Sequence, residues 1–329
     1  MYRKKRQRKV KVTFLCFLVI ALAISGVAFY FIQNKVSITE YEKEKYSIPL
    51  YKEELLLDYI CVASNDVDSE YVEITDDLHA AGLFRLDTAE VEYAQKIHDK
   101  LYPASTTKLL TAYLALKYGN LSDTITVSKD AVGVPLDSSR AGLITGDKLT
   151  LEELLYGLML PSGNDSAVAI AEYISGSEEA FATLMNDEAR KLGATNSHFV
   201  NSHGYHDDEH YTTAYDLYLI LKECVKNDTF LEIVSANQYP IDIDQKNGTY
   251  RKAVWRQTNQ YVTGLRSEPN GIDVIGGKTG TTDQAGSCLI MYSETAEHPY
   301  ISVVMGADNK SKLYENMTYL ITAAVNSEK

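Results

Sequence analysis

Twenty-one consecutive residues without a charge, Val12 to Ile32, constrain this chain more than any other stretch. About 20 apolar residues carry a helix across the hydrocarbon core of a bilayer. Seven cations and no acid precede the run (Arg3, Lys4, Lys5, Arg6, Arg8, Lys9, Lys11), and Glu40, Glu42 and Glu44 follow it. That asymmetry predicts a cytoplasmic tip over residues 1–11, a single-pass anchor over 12–32 and a body outside the cytoplasm. The alternative is a cleaved signal, with Gly26-Val27-Ala28 as small residues at the cut and a secreted product. Apolar character continues through Phe29, Tyr30, Phe31 and Ile32, longer than a usual cleaved segment, which favours retention.

The body carries its own charge signature. The whole chain has a formal charge of −13, so removing the +7 tip leaves −20 for the rest. A surface this acidic repels phosphates and excludes a nucleic-acid binder. Hydrophobic residues at 45% and charged residues at 23% are those of a folded protein. Beyond Cys16 in the apolar run there are Cys61, Cys224 and Cys288, an odd number without CxxC spacing. They make neither a disulfide framework nor a thiolate zinc site, although one pair could oxidise outside the cell.

Residues 33–74 are polar, acidic and tyrosine-rich, and read as a juxtamembrane stalk with weak strand character near 59–62 and 71–74. The folded domain is expected over 75–329. Ala81–Leu86 and Val91–Ala94 read as strands joined by a turn. Ser105–Tyr118 reads as a helix stopped at Gly119. Thr150-Leu151-Glu152-Glu153 is a capping box opening a short helix that ends near Pro161. Helices are expected over 165–173, 177–192, 213–225 and 313–326. Strands are expected over 250–255, 274–278, 287–292 and 300–305. Strands at both ends around a helical middle predict an α/β layered fold with a mostly antiparallel sheet.

Three short motifs carry chemistry. In Ser105-Thr106-Thr107-Lys108, helical spacing of three puts an amine beside a hydroxyl. A serine needs an adjacent base to attack a carbonyl near neutral pH, and a lysine serves if burial and nearby cations depress its pKa. In Ser162-Gly163-Asn164, a hydroxyl can relay a proton and an amide can grip a peptide group. In Lys278-Thr279-Gly280-Thr281, at the end of an expected strand after Gly276-Gly277, a cation and two hydroxyls make a carboxylate site. Each motif alone reads more simply as a helix cap, a turn or a glycine-rich strand end. SxxK, SxN and KTG in that order are the set of the active-site serine penicillin-binding proteins and class A β-lactamases.

From about Ala80 to Ala324 the chain resembles the low-molecular-mass penicillin-binding proteins, the serine D-alanyl-D-alanine carboxypeptidases of peptidase family S11. Leu143–Thr150, Leu158–Asp165, Phe199–Gly204, His210–Leu217 and Ala285–Cys288 extend the likeness beyond the three motifs. The resemblance implies a β-lactamase/D,D-peptidase-like fold: an antiparallel sheet covered by helices plus a helical subdomain, with the active site between them. It implies hydrolysis of the terminal D-Ala-D-Ala bond of peptidoglycan stem peptides in wall maintenance, covalent inhibition by β-lactams, and no cofactor or metal. It gives Ser105 as nucleophile, Lys108 as base and Ser162 as proton relay. Asn164, Lys278, Thr279 and Thr281 would bind substrate, and the backbone amides of Ser105 and Thr281 would form the oxyanion hole. Two departures stand out. Where the family often has an arginine before its last helix, this chain offers Lys310 and Lys312, with Lys312 the better match. The family's C-terminal β-domain and anchor have no counterpart, so the N-terminal segment would anchor the chain.

A class A β-lactamase would need a glutamate in an ExxLN string, and none lies between Asn164 and Lys278. A metallopeptidase would draw on His198, His203, His206 and His210 with Asp207, Asp208 and Glu209, but the spacing is not HExxH. A catalytically dead wall-binding protein is opposed by the intact nucleophile, base and KTG.

Overall fold

The computed structural model describes residues 60–72, 74 and 78–328. The expected tip, anchor and most of the stalk lie outside the described residues, and among those described no helix is long and apolar enough to cross a membrane. Five antiparallel strands form the main sheet in the order β2 (Glu90–Gln95), β1 (Ala80–Arg85), β9 (Pro299–Ala307), β8 (Gly286–Thr295), β7 (Ile272–Thr282). Side chains alternate across a strand, so one sheet can face two cores. Leu83, Leu289, Met291 and Val304 face the C-terminal helix α8 (Lys310–Asn326), whose Leu313, Met317 and Leu320 meet them. Phe84, Ile290, Ile301 and Val303 face the helical body. Burial on both sides explains why these strands read as continuous apolar runs rather than alternating ones.

The helical body holds α1 (Lys108–Tyr118), the single turn α2 (Lys129–Val132), α3 (Leu151–Met159), α4 (Asn164–Ser175), α5 (Glu178–Lys191), α6 (Ala214–Cys224) and α7 (Asp228–Ser235). The capping box is present as read: Thr150 accepts from Glu153 N and Glu153 accepts from Thr150 N. Thr213 caps α6 by accepting from Asp216 N. A second antiparallel sheet, in the order β3 (Thr124–Thr126), β4 (Lys148–Thr150), β5 (Gln238–Asp244), β6 (Tyr250–Arg256), was only partly legible. Its first two strands are three residues long, too short for periodicity to register.

The start of the folded body also differs from the expectation. Cys61, placed in the stalk by sequence, is fully buried. Its amide donates to the Tyr218 hydroxyl at 2.9 Å, its carbonyl accepts from the Tyr215 hydroxyl at 2.8 Å, and Val67 pairs with Ala94 on β2. The segment from residue 60 is thus part of the core. Cys61, Cys224 and Cys288 are all buried and unbridged. Burial pushes the Cys61 and Cys288 thiols up to about 11, which leaves them as small hydrophobes rather than reactive groups.

Candidate active site

Ser105 lies in a 3-10 turn, Ala104–Thr107, that runs directly into α1. The turn is held in an unusual shape. Ala104 has φ +48°, in the left-handed region that side chains other than glycine enter only at a cost. Two neighbours hold it there. A Cβ on Gly204 would sit 1.8 Å from the Ala104 carbonyl oxygen, so only glycine permits that close backbone packing. Val200 N–H donates to Nδ1 of His210, which leaves Nε2 as the protonated nitrogen facing Thr107 Oγ1 at 2.9 Å. The Thr107 hydroxyl in turn donates to the Ala104 carbonyl at 2.8 Å. Burial holds His210 neutral, down to about 3.

Lys108 is fully buried. Its Nζ lies 2.9 Å from Ser105 Oγ, 2.7 Å from Asn164 Oδ1 and 2.7 Å from the His203 carbonyl oxygen. The last two atoms can only accept. In its neutral form the amine gives its two hydrogens to those oxygens and turns its one lone pair to the Ser105 hydroxyl. Burial, reinforced by the Lys278 charge and opposed by Asp165 and Glu178, drives the Lys108 ammonium well below its ordinary range. That shift favours the neutral amine, whose lone pair the geometry then turns toward Ser105 Oγ.

Ser162 and Asn164 approach from the junction of α3 and α4. Ser162 has φ +62°, a second non-glycine residue in the left-handed region beside Ser105. Its hydroxyl is buried and has no hydrogen-bond partner, so it bonds neither Ser105 nor Lys108 in this state. Asn164 spends its oxygen on Lys108, and what it can offer a ligand is its amide NH2. Behind them the Asp165 carboxylate accepts from the amides of Ala141, Gly142 and Leu143 at 2.8–2.9 Å. That clamp, with Trp255 Nε1 donating to the Ala141 carbonyl, fixes the loop that brings Ser139 to the groove.

The opposite wall is β7, the edge strand of the sheet. A Cβ on Gly280 would lie 2.8 Å from Ser105 N and 3.0 Å from the Pro103 carbonyl oxygen, so the KTG glycine is what lets the strand reach the Ser105 turn. Lys278 is 99% buried under the groove, with Nζ donating to the Thr279 carbonyl at 2.8 Å, and burial lowers it to about 7. Ser105 opens onto two cavities. One, of 230 Å³, is lined by Ser162, Thr258, Thr279, Thr281 and Lys310. The other, of 470 Å³, is lined by Asn164, Tyr205, Thr281 and residues from Asp137 to Ser139.

Every residue singled out from the three motifs lines this groove or, like Lys108 and Lys278, lies buried against it. Other contributors were missed, Asp137, Ser139 and Asp283 among them. Thr258, whose hydroxyl is 2.7 Å from that of Thr279, and Gln260 follow β6 with no motif around them. Tyr205 sits in the histidine-rich loop. Of the two lysines offered in place of the family's arginine, Lys310 lines the cavity, whereas Lys312 pairs with Glu315 at 3.3 Å along its own helix. Register decides this, because residues two apart in the first turn of a helix face different directions. The histidine cluster is spent on structure, with His198 Nδ1 2.6 Å from the Glu209 carbonyl oxygen and His203 Nδ1 accepting from Tyr205 N.

A profile of the D-alanyl-D-alanine carboxypeptidases, peptidase S11, matches residues 73–309. The chain belongs to that family. It is 33% identical over 257 residues to the D-alanyl-D-alanine carboxypeptidase DacF of Bacillus subtilis, covering 77% of this chain and 63% of the relative. It is 36% identical over 232 residues to the D-alanyl-D-alanine carboxypeptidase of Streptomyces sp. strain K15, covering 67% and 77%. With DacC of Escherichia coli it shares 34% identity, over 68% of this chain and 55% of that one. It thus spans less than two-thirds of the length of the Bacillus and Escherichia relatives. The crystal structure of the Streptomyces K15 DD-transpeptidase superposes with a TM-score of 0.72 at 28% identity, over 78% of this chain and 99% of that one. Penicillin-binding protein 6B of Escherichia coli gives 0.66, also at 28%, over 77% and 80%. These superpositions agree with the α/β fold that the resemblance implies, seen in this chain as an antiparallel sheet covered by helices.

Proposed function

We propose that this S11 family member is a penicillin-sensitive serine D-alanyl-D-alanine carboxypeptidase acting on peptidoglycan stem peptides. The observation that carries the reading is the buried Lys108 Nζ, 2.7 Å from two oxygens that can only accept and 2.9 Å from Ser105 Oγ. Lys108 takes the Ser105 proton as the oxygen attacks the penultimate D-Ala carbonyl. The amides of Ser105 and Thr281 receive the oxyanion. The proton returns through the unpartnered Ser162 hydroxyl to the departing D-Ala nitrogen. Asn164 NH2 holds the acyl backbone. Lys278, Thr279 and Thr281 hold the terminal carboxylate, with Thr258 supporting Thr279 and Lys310 adding charge at the rim. Water then enters by the same base and releases the shortened stem. No step calls on a cofactor or metal.

The reading includes a location outside the cytoplasm, on a membrane anchor over residues 12–32, supported by the basic tip and uncharged run. Mass spectrometry after penicillin treatment tests the chemistry: an adduct on Ser105, with one D-alanine released from a pentapeptide, is expected. No adduct and no release would return the chain to a wall-binding role.

A further inference from the structure

The groove is electrically polar about Ser105. The 230 Å³ half is lined by Lys310 and hydroxyls, without a carboxylate. The 470 Å³ half is lined by Asp137 and Asp283, without a lysine or arginine. The two aspartates come from separate elements, the loop after α2 and the turn joining β7 to β8. Both are exposed, and among the described residues neither has a salt-bridge partner. Asp137 is held in place: the Tyr205 hydroxyl, from a third segment, donates toward its two oxygens at 3.3 and 3.2 Å. Its charge is felt there, raising the Tyr205 phenol above its ordinary value. The Asp165 clamp fixes the same loop four residues on. The other titratable group in the lining, His206, faces Asp208 at 3.4 Å and packs edge-on against Tyr102.

We infer that the 470 Å³ half binds a free ammonium on the acyl chain, carried by the side chain of the residue that precedes D-Ala-D-Ala. The inference rests on the carboxypeptidase reading, which sets the terminal carboxylate in the cationic half. The acylated residue then sits on Ser105, and the residue before it lies about 3.4 Å further along an extended chain, in the acidic half. A substrate negative at its end and positive on its third residue matches the groove in one orientation only. Stems whose side-chain amine has been acylated, by a branch or a cross-link, lose that match. The enzyme is thereby placed before the reactions that consume the amine.

The test compares Nα-acetyl-L-Lys-D-Ala-D-Ala with its Nε-acetylated form on the full chain. The free amine should give a kcat/KM about three- to tenfold higher, through KM, as expected for charges at a hydrated rim. Raising ionic strength should narrow the ratio. In the Asp137→Asn/Asp283→Asn double variant the ratio should approach one. Because the ratio is taken within each protein, partial loss of folded enzyme does not affect it. Equal turnover of the two peptides by the unaltered chain, or a preference that survives the double variant, overturns the ammonium site and leaves the carboxypeptidase reading standing. Hydrolysis of neither peptide overturns both.

Discussion

The back of the groove and its rim are built on opposite principles. At the back, Lys108 and Asn164 are almost fully buried and bonded to each other, while His203 contributes its backbone oxygen. At the rim, Thr281, Asp137, Asp283 and Lys310 are exposed. The difference follows from what each must do. A lysine is a base near neutral pH only if burial disfavours its charge. A charge that recognises a charged substrate must be within reach of the solvent the substrate arrives from, and these side chains are. Damage at the back should therefore appear in the acylation rate, and damage at the rim in KM.

The largest expected effect is at Ser105, the proposed nucleophile. Ser105→Ala should abolish the penicillin adduct with little change in stability, because the side chain is at the mouth of two cavities. An adduct surviving on another residue would sink the assignment. Lys108→Ala should slow acylation about 10²- to 10⁴-fold, the usual cost of removing a general acid–base group. In the unaltered protein, acylation should fall as pH falls, since protonated Lys108 has no lone pair for the Ser105 proton. Its depressed pKa places that fall well below the range of an ordinary exposed lysine near 10.4. A flat acylation profile from pH 5 to 9 would remove Lys108 from the role.

Gly280→Ala probes the contact between the two walls. Its Cβ would meet Ser105 N at 2.8 Å, so strand and turn must separate. Displacing reacting groups by about 1 Å costs on the order of 10²-fold, while the sheet's own pairing is untouched. Acylation at the unaltered rate would show that β7 does not position the nucleophile.

A smaller effect comes from Lys278, which combines burial with the proposed task of meeting a carboxylate. Its folded pKa of about 7 lies below the ordinary value, so its charge is present below pH 7 and lost above it. For the free enzyme, kcat/KM on an acid-terminated peptide should decline above pH 7, by at most about tenfold at pH 8. A C-terminally amidated peptide, bound poorly at any pH, should lack that limb. Identical profiles for acid and amide would separate Lys278 from carboxylate binding.

What was legible in the sequence divides along the same line. The back wall follows from short-range rules: spacing of three on a helix joins Ser105 to Lys108, and a capping box marks the start of α3 with Thr150. The rim depends on pieces far apart in sequence. Asp137 and Asp283 are 146 positions apart, and nothing local marks either as facing a cavity. Thr258 follows β6 in an irregular stretch, and it reaches the groove only because the sheet turns that stretch toward Thr279. Cys61 looked like part of a polar stalk because the partners that bury it, Tyr215 and Tyr218, are on α6. Strands of three residues, as in β3 and β4, are invisible to any periodicity.

The smallest expected effect belongs to Lys310. It occupies the first turn of α8, a turn with no acid and with Lys312 beside it. Cations there oppose the helix macrodipole, so helix stability does not explain the residue. Its position on the cavity that holds Thr279 and Thr281 does. An exposed ammonium gains little from one carboxylate, because water and salt screen the pair. Lys310→Ala should therefore raise KM for the acid-terminated peptide about two- to fivefold, with kcat unchanged. Turnover of the amidated peptide should not respond. Lys310→Arg should bind the acid at least as well as the original lysine, since a guanidinium offers a carboxylate two parallel donors. Lys312→Ala, which removes a charge already paired with Glu315, serves as the control one turn-face away. If Lys312→Ala weakens acid binding more than Lys310→Ala, the cation at the rim is the other lysine, and the register drawn for the start of α8 is wrong.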